Sequence, residues 1–278
     1  MEKLEINNEE EKHMSFLDHL EELRWHIIRS LVAIVVLAIA AFSSKSFVFD
    51  VLIFGPSKPD FWTFKILCKA GNLINSDALC IDSIPFLIQS RNMTGQFTMH
   101  LISSFILGFI VAFPYIFWEI WRFVGPGLHS TERKVSRGAV FFVTLLFTIG
   151  VLFGYYIMTP LAVNFLANYQ VSELVVNEFD ITSYVTTVTT LVMGSGILFQ
   201  LPMVVYFLSK VGIVTPKLMK NYRRHAIIVI LFLGAMLTPP DPLSQILIAF
   251  PLFGLYQFSI LISASVERKK LKAEKEQI

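Results

Sequence analysis

Charged residues are scarce in this sequence of 278 residues: they make up 16% of it, whereas 54% of the residues are hydrophobic. A soluble domain of ordinary composition has about a quarter charged residues. The chain therefore lacks the polar shell of a soluble enzyme, the low hydrophobicity of a disordered protein and the basic face of a nucleic-acid-binding protein. It has instead long apolar runs and 26 Phe, which indicate a membrane protein with several spans.

Apolar segments long enough to cross a bilayer recur along the chain. A spanning helix needs about 20 mostly apolar residues, and six segments reach or approach that length. They predict an all-α fold, a polytopic helical membrane protein with six transmembrane helices. The predicted spans are 27–42, 97–118, 139–159, 184–208, 226–237 and 243–263.

Basic residues are distributed unequally between the two sides of this topology. The two ends of the chain and the loops after spans two and four hold 18 of the 23 Lys and Arg residues, and the other side holds five. Since loops rich in Lys and Arg stay in the cytoplasm, the bias predicts that both termini are cytoplasmic.

The whole chain, 1–278, is predicted to form a single six-helix transmembrane domain with three polar parts. Residues 1–14 are an acidic tail, which we expect to be flexible and which lacks the basic start of a cleavable signal peptide. Residues 44–94 form a long periplasmic loop with amphipathic turns around 48–54 and 61–67, and residues 264–278 form a basic cytoplasmic tail. Helical spacing of apolar residues from Phe16 to Ile27 predicts an interfacial helix that runs into span one.

Cysteine occurs twice, as Cys68 and Cys80, and both residues lie in the long outer loop. On the oxidising side of a membrane, two cysteines twelve residues apart could form a disulfide. The alternative is a pair of free thiols in a reduced or anaerobic setting. The spacing alone does not decide between them.

Ionisable residues are absent from the interiors of spans three to six, and Glu119 lies near one end of span two. The deep polar residues are Gln200, Gln245 and Gln257. No phosphate loop, nucleophile elbow or cluster of metal ligands is present in the sequence. We therefore predict that the protein is not an enzyme and uses no cofactor or metal. An ion- or solute-coupled secondary transporter is the alternative, although such transporters usually hold an ionisable residue at bilayer depth.

Two acidic residues are of interest on the predicted cytoplasmic face: Glu22 in HLEELR and Glu132 in HSTERK. Each has a structural explanation. Glu22 could lie on the solvated face of an amphipathic helix, and Glu132 could lie in the first turn of a helix capped by Ser130. The functional alternative is a pair of carboxylates that binds a cationic ligand. Arg suits such a pair because it stays charged and binds a carboxylate through two hydrogen bonds.

Four segments occur in a defined order from Ser15 to about Val266: FLDHLEELR, WEIWRFVGPGLHSTERK, GYYIMTPLAVNFLANY and MLTPPDPLSQILIAFPLFGLY. In these segments and in its six spans the chain resembles the TatC family, the polytopic core subunit of the twin-arginine protein translocase. The LTPPD-x-x-SQ motif together with the ER pair of the basic loop makes the resemblance specific.

The resemblance implies a protein of the inner (cytoplasmic) membrane that binds the twin-Arg signal peptide of folded precursors at its cytoplasmic face. It implies single-span TatA- and TatB-type subunits as partners, a homo-oligomeric complex, contact with lipid and no nucleic acid. The implied signal-peptide-binding residues are Glu22, Glu132, Phe123, Leu128, Arg24 and Arg133. The two Arg would orient the acids, or they are ordinary positive-inside charges.

The residues implied to dock the partner subunits are Gln200, Asp241 and Gln245. The family often has Glu at the position of Gln200, so a role that requires charge does not carry over to it. A Gln can still form hydrogen bonds between helices in lipid.

Span five is short. A helix over 226–238 would cover roughly 20 Å of a ~30 Å hydrocarbon core, which predicts local thinning of the bilayer near the turn at Asp241. The alternative is a helix that begins earlier, near Leu218.

Overall fold

The computed structural model describes residues 16–73, 80, 86–124, 133–172, 174–237 and 242–276. The tail predicted for residues 1–14 lies outside this part of the chain. The described residues are mostly helical. The α-helices are α1 Phe16–Ser43, α2 Trp62–Leu73, α3 Gly95–Val124, α4 Arg133–Phe153, α5 Thr159–Asn168, α6 Ile181–Leu198, α7 Leu201–Val211, α8 Pro216–Asn221, α9 Arg223–Leu237 and α10 Pro242–Glu276.

In the part of the chain that the structure describes, five helical stretches are long and apolar enough to cross a membrane: Leu20–Ser43, Gly95–Phe123, Gly138–Asn168, Ile181–Val211 and Ile248–Lys272. They contain predicted spans one to four and most of span six, so the prediction of an all-α protein with several membrane helices is confirmed. Predicted span five lies in α9, which has only 15 residues. The number of six spans and the cytoplasmic position of both termini stay predictions.

The surface of the helix bundle is apolar where lipid is expected. On α1, Ile28, Val32, Val36 and Ile39 follow one another at helical spacing and are 39–61% exposed. In water such a continuous apolar stripe would be an aggregation site. In a bilayer the same stripe faces lipid tails, which explains why it needs no protein partner.

Helices α1 and α3 pack against each other in antiparallel orientation. At one end of the pair the rings of His26 and Phe123 lie 6.1 Å apart, and at the other end Phe42 stacks on His100 at 4.0 Å. We call the end that holds His26 and Phe123 the inner end, because the basic residues predict that it faces the cytoplasm.

The close approach of α1 and α3 depends on Gly108. A Cβ atom at this position would lie 2.7 Å from the backbone nitrogen of Ala38 and 2.9 Å from the carbonyl oxygen of Ile34. Real side chains do not tolerate such distances, so only glycine permits this spacing.

Three clusters of buried apolar residues hold the bundle together. One joins the outer turn after α1 to α6, the second joins α6 to α9 and α10, and the third joins α3 and α4 to α7. Their central residues are Phe49, Val185 and Val188 in the first, Leu191, Ile230 and Leu252 in the second, and Trp121, Val143 and Met203 in the third.

The long outer loop has local helical structure. A π-helical turn, Phe47–Ile53, and a 3-10 turn, Gly55–Ser57, follow α1 and precede α2. The stretches predicted to form amphipathic turns, 48–54 and 61–67, lie in or at the start of these elements. Cys68 of α2 is joined to Cys80 by a disulfide, with Cα atoms 4.2 Å apart.

A small parallel sheet, which the sequence did not predict, connects the two outer loops. It consists of β1 Leu87–Gln89 and β2 Glu178–Asp180, with Ile88 opposite Phe179. The Asp180 carboxylate accepts hydrogen bonds from the backbone N–H of Thr182, which caps α6, and from that of Arg91 at 2.9 Å. The hydroxyl of Thr182 and these two N–H groups lower the pKa of Asp180 below its usual value of 3.8.

The second half of the bundle contains two breaks that set the start of later helices. Helix α7 ends at Val211 and is followed by Gly212, whose φ of 93° is the left-handed conformation that favours glycine after a helix. Helix α8, which contains Leu218, ends at Asn221, and α9 begins at Arg223 after a break of one residue, Tyr222. Whether the spanning part of this segment begins at α9 or earlier, near Leu218, stays a prediction.

Candidate functional site

The predicted signal-binding residues that the structure describes lie at the inner end of the α1–α3 pair. Glu22 and Arg24 are in the first turns of α1, and Phe123 is in the last turn of α3. Glu132 and Leu128 lie outside the described residues, and so does the side chain of Arg133, the first residue of α4.

The adjacent acids Glu21 and Glu22 have different surroundings. Glu21 is exposed and forms an ion pair with Arg24, with 3.2 Å between Oε1 and Nη2. Glu22 is half-buried, and no described side chain pairs with it. Arg24, expected either to orient the site acids or to supply positive-inside charge, pairs with Glu21 in the structure, and its guanidinium lies 5.5 Å from the Trp25 ring.

A buried acid–base pair lies one helical turn deeper than Glu22. The Nδ1 atom of His26 donates a hydrogen bond to Oε2 of Glu119 on α3, and the two residues are only 5% and 1% exposed. The Nη1 atom of Arg29 lies 3.7 Å from the same oxygen. A carboxylate in a membrane helix is costly unless it is paired, and these two bases provide the pairing.

The pairing of His26 with Glu119 is not predicted from the sequence. The local signals are that Glu119 is an acid at the end of apolar span two and that His26 follows Glu22 at i+4 on α1. These signals mark each residue as unusual, but they do not predict that the two residues are in contact, because they are 93 positions apart in the sequence.

The residues at the inner end form a column across the two helices. Glu22 and His26 are four positions apart on α1, and Glu119 and Phe123 are four positions apart on α3, so each pair lies on one helix face. The half-buried Phe123 ring lies beside the His26 ring. An acid and an aromatic ring therefore lie one turn above the buried His26–Glu119 hydrogen bond, an arrangement suited to binding a ligand with cationic and apolar parts. Within the described residues no His, Cys, Asp and Glu cluster could hold a metal ion.

The residues implied to dock partner subunits are placed differently. Gln200, at the break between α6 and α7, donates from Nε2 to the carbonyl oxygen of Val143 at 3.0 Å, and its buried Oε1 has no described partner. Gln245 donates to the carbonyl oxygen of Leu231 at 3.2 Å, which ties α10 to α9. Asp241 lies outside the described residues.

The fold and site define a multi-pass helical membrane protein with a candidate cation-binding acid at the inner end of its bundle. Comparison with protein families gives a match to the TatC model, described as Sec-independent protein translocase protein, over residues 18–251. The match includes α1 to α9 and the first part of α10.

Curated relatives agree with this match along nearly the whole chain. The chain is 40% identical over 263 residues to the Sec-independent protein translocase protein TatC of Blattabacterium sp. subsp. Periplaneta americana, covering 94% of this chain and 99% of the relative. It is 34% identical to the protein of the same name from Campylobacter jejuni, covering 89% and 93%.

A solved structure is also similar, the crystal structure of the twin-arginine translocase receptor TatC. It superimposes with a TM-score of 0.66 at 30% identity, covering 90% of this chain and 99% of that one. The chain belongs to the TatC family of Sec-independent protein translocase proteins. None of these comparisons supports the alternative of a secondary transporter.

Proposed function

We propose that this protein is the receptor core of a twin-arginine translocation system and acts by binding rather than by enzymatic chemistry. It binds the twin-Arg signal peptide of folded precursor proteins at the inner end of the α1–α3 pair. The surroundings of Glu22 support this most directly. Its side chain is half-buried and has no described ion-pair partner, whereas the neighbouring Glu21 is exposed and paired with Arg24.

Glu22 and Glu132 each bind one guanidinium of the signal peptide in this proposal. A guanidinium presents parallel N–H groups that match both oxygens of a carboxylate, whereas a Lys ammonium matches only the charge. A hydrogen bond to a charged group contributes about 1.5–3 kcal/mol. Loss of one such contact therefore weakens binding by roughly ten- to a hundredfold.

The other implied residues have supporting roles in this proposal. Phe123 and Leu128 supply apolar contact to the residues next to the two Arg. Arg24 and Arg133 keep the inner face basic, so that the binding acids are isolated negative groups in a positive field. Such a field disfavours nonspecific cationic ligands that cannot form the two-pronged hydrogen bonds.

TatA- and TatB-type single-span subunits dock elsewhere on the bundle, at Gln200, Asp241 and Gln245. Gln200 has a buried oxygen without a described partner, and docking of a partner helix that opens the break between α6 and α7 would let a donor on that helix satisfy it. Gln245 uses its amide within the chain, so its role in docking is to hold α10 against α9. The assembled complex is homo-oligomeric and surrounded by lipid.

Signal-peptide binding is the test of this function. The affinity of a fluorescent twin-Arg signal peptide for the purified full chain in lipid nanodiscs is measured for the wild type, E22A, E132A and E21A. We expect E22A and E132A each to weaken binding at least tenfold and E21A to change it less than threefold. A twin-Lys peptide should bind weakly to all four. Wild-type affinity in both E22A and E132A would overturn the proposal.

A further inference from the structure

The His26–Glu119 pair lies between the two membrane helices that bear Glu22 and Phe123. Both side chains are buried. Glu119 accepts a hydrogen bond from His26, and the Nη1 atom of Arg29 lies 3.7 Å from the same carboxylate oxygen. The Tyr115 side chain, one turn earlier on α3, also interacts with Glu119. Four polar groups thus converge on one point where α1 crosses α3.

Stability alone is a poor explanation for such a pair. Removing two charges from water costs free energy that their attraction only partly returns, and well-packed apolar residues often stabilise a protein as well or better. Buried polar pairs are better attested as devices that fix the register of two helices, because alternative registers leave a charge unpaired.

Three contacts fix the register of α1 against α3. At the outer end Phe42 stacks on His100 at 4.0 Å, and near the middle Gly108 permits close backbone contact with Ala38. Neither contact lies in the inner turns of α1, so neither by itself opposes rotation of those turns. At the inner end, the hydrogen bond between His26 and Glu119 holds α1 in one rotational orientation relative to α3. One residue of register corresponds to about 100° of rotation on a helix, enough to turn Glu22 away from Phe123.

We propose that His26 and Glu119 are positioning residues for signal-peptide binding: their hydrogen bond orients the inner turn of α1 so that Glu22 faces the same ligand as Phe123. This inference rests on the proposed function. Neither residue contacts the peptide in this arrangement, because both are covered by the turns that bear Glu22 and Phe123.

The test separates orientation from stability. The double variant H26F/E119L fills the same space without the hydrogen bond, and the exchange variant H26E/E119H restores it with the partners reversed. For each variant, signal-peptide affinity per folded molecule in nanodiscs is measured together with the thermal midpoint of unfolding. Spin labels at positions 21 and 122, both exposed, report the distance between the inner ends of α1 and α3.

We expect H26F/E119L to keep the wild-type midpoint but bind at least tenfold more weakly, with a broadened distance distribution. The exchange variant should recover binding to within about threefold and narrow the distribution. Wild-type affinity in folded H26F/E119L would overturn the proposal. Should that variant fail to fold, the single variant E119L, which lacks the acceptor for His26, is measured alongside as the reference. An exchange variant that folds but binds no better than E119L would then overturn the proposal.

The two proposals fail differently in this experiment. E22A is measured alongside as the reference for the binding site itself. If E22A and E132A bind normally, the proposed function is wrong. If E22A loses binding while H26F/E119L keeps it, the signal site stands and only the positioning role falls.

Discussion

Gly108 of α3 lies so close to Ala38 of α1 that a Cβ atom would come within 2.7 Å of the Ala38 nitrogen. This contact sets the distance between the two helices whose inner ends hold Glu22 and Phe123. Backbone atoms cannot move aside as a flexible side chain can, so a larger residue at position 108 must push the helices apart.

Gly108→Ala tests this relationship. We expect a destabilisation of about 1–3 kcal/mol, the usual cost of overpacking, together with weaker signal-peptide binding. The matched control is Gly254→Ala on α10, where an added Cβ meets no atom within 4 Å. It should be neutral or slightly stabilising, because Ala favours helix over Gly. Thermal unfolding in detergent measures both, and equal midpoints for the two variants would contradict the prediction.

The disulfide between Cys68 and Cys80 closes a short loop after α2. Closing a loop of this size stabilises a fold by about 2–3 kcal/mol through restriction of the unfolded chain. The variant C68S/C80S should therefore unfold at a lower temperature than the wild type while it keeps its affinity for the signal peptide, since the disulfide is in the outer loop.

Thiol labelling checks the bond directly. In protein purified without reductant, a maleimide polymer should leave the electrophoretic mobility unchanged, and after reduction in denaturant it should add two labels. Two labels without reduction would mean that the free-thiol alternative is correct.

The membrane helices and the candidate acid could be predicted from sequence because their signals are local. Hydropathy over about 20 residues predicts a span, and the resemblance of HLEELR to a family motif gives Glu22. Predicted span five falls on α9, a helix of 15 residues that begins at Arg223, but whether this helix crosses the membrane stays a prediction.

Contacts between distant segments could not be predicted in this way. The strands β1 and β2 have three residues each, too few for a periodic pattern, and they are parallel partners from different outer loops. The partner of His26 likewise depends on the register of α1 against α3, which a single helix does not encode. In both cases tertiary packing supplies the information.

The Asp180 carboxylate links the two outer loops and should make the outer region sensitive to acid. Its pKa is lowered in the folded protein, chiefly by the Thr182 hydroxyl. A group with a lowered folded pKa stabilises the protein above its unfolded pKa, and this contribution is lost as the pH falls through the folded value. The stabilisation should thus be complete at neutral pH and decline below about pH 4.

Asp180→Asn provides the comparison, because Asn can still cap α6 but does not titrate in this range. We expect the wild type to have a higher unfolding midpoint than D180N at pH 7, and the difference to shrink between pH 4 and pH 2.5. A difference that stays constant over this range would show that the carboxylate charge does not contribute.

Gln200 joins α7 to α4 through the carbonyl oxygen of Val143. A hydrogen bond between membrane helices contributes about 0.6 kcal/mol on average, so Gln200→Leu should lower stability only slightly. Its larger effect should be on assembly, because the free Oε1 is also lost. Crosslinking of TatA- and TatB-type subunits near position 200 should fall severalfold.

Gln257→Leu on α10 is the matched control and should leave crosslinking at the wild-type level. Gln200→Glu separates the two functions of the side chain. A carboxylate keeps acceptor oxygens for a partner helix but, when ionised, cannot donate to Val143. The Glu variant should therefore retain crosslinking better than the Leu variant. Equal loss of crosslinking in both variants would mean that the hydrogen bond to Val143 of α4, and not an acceptor for a partner subunit, is what matters.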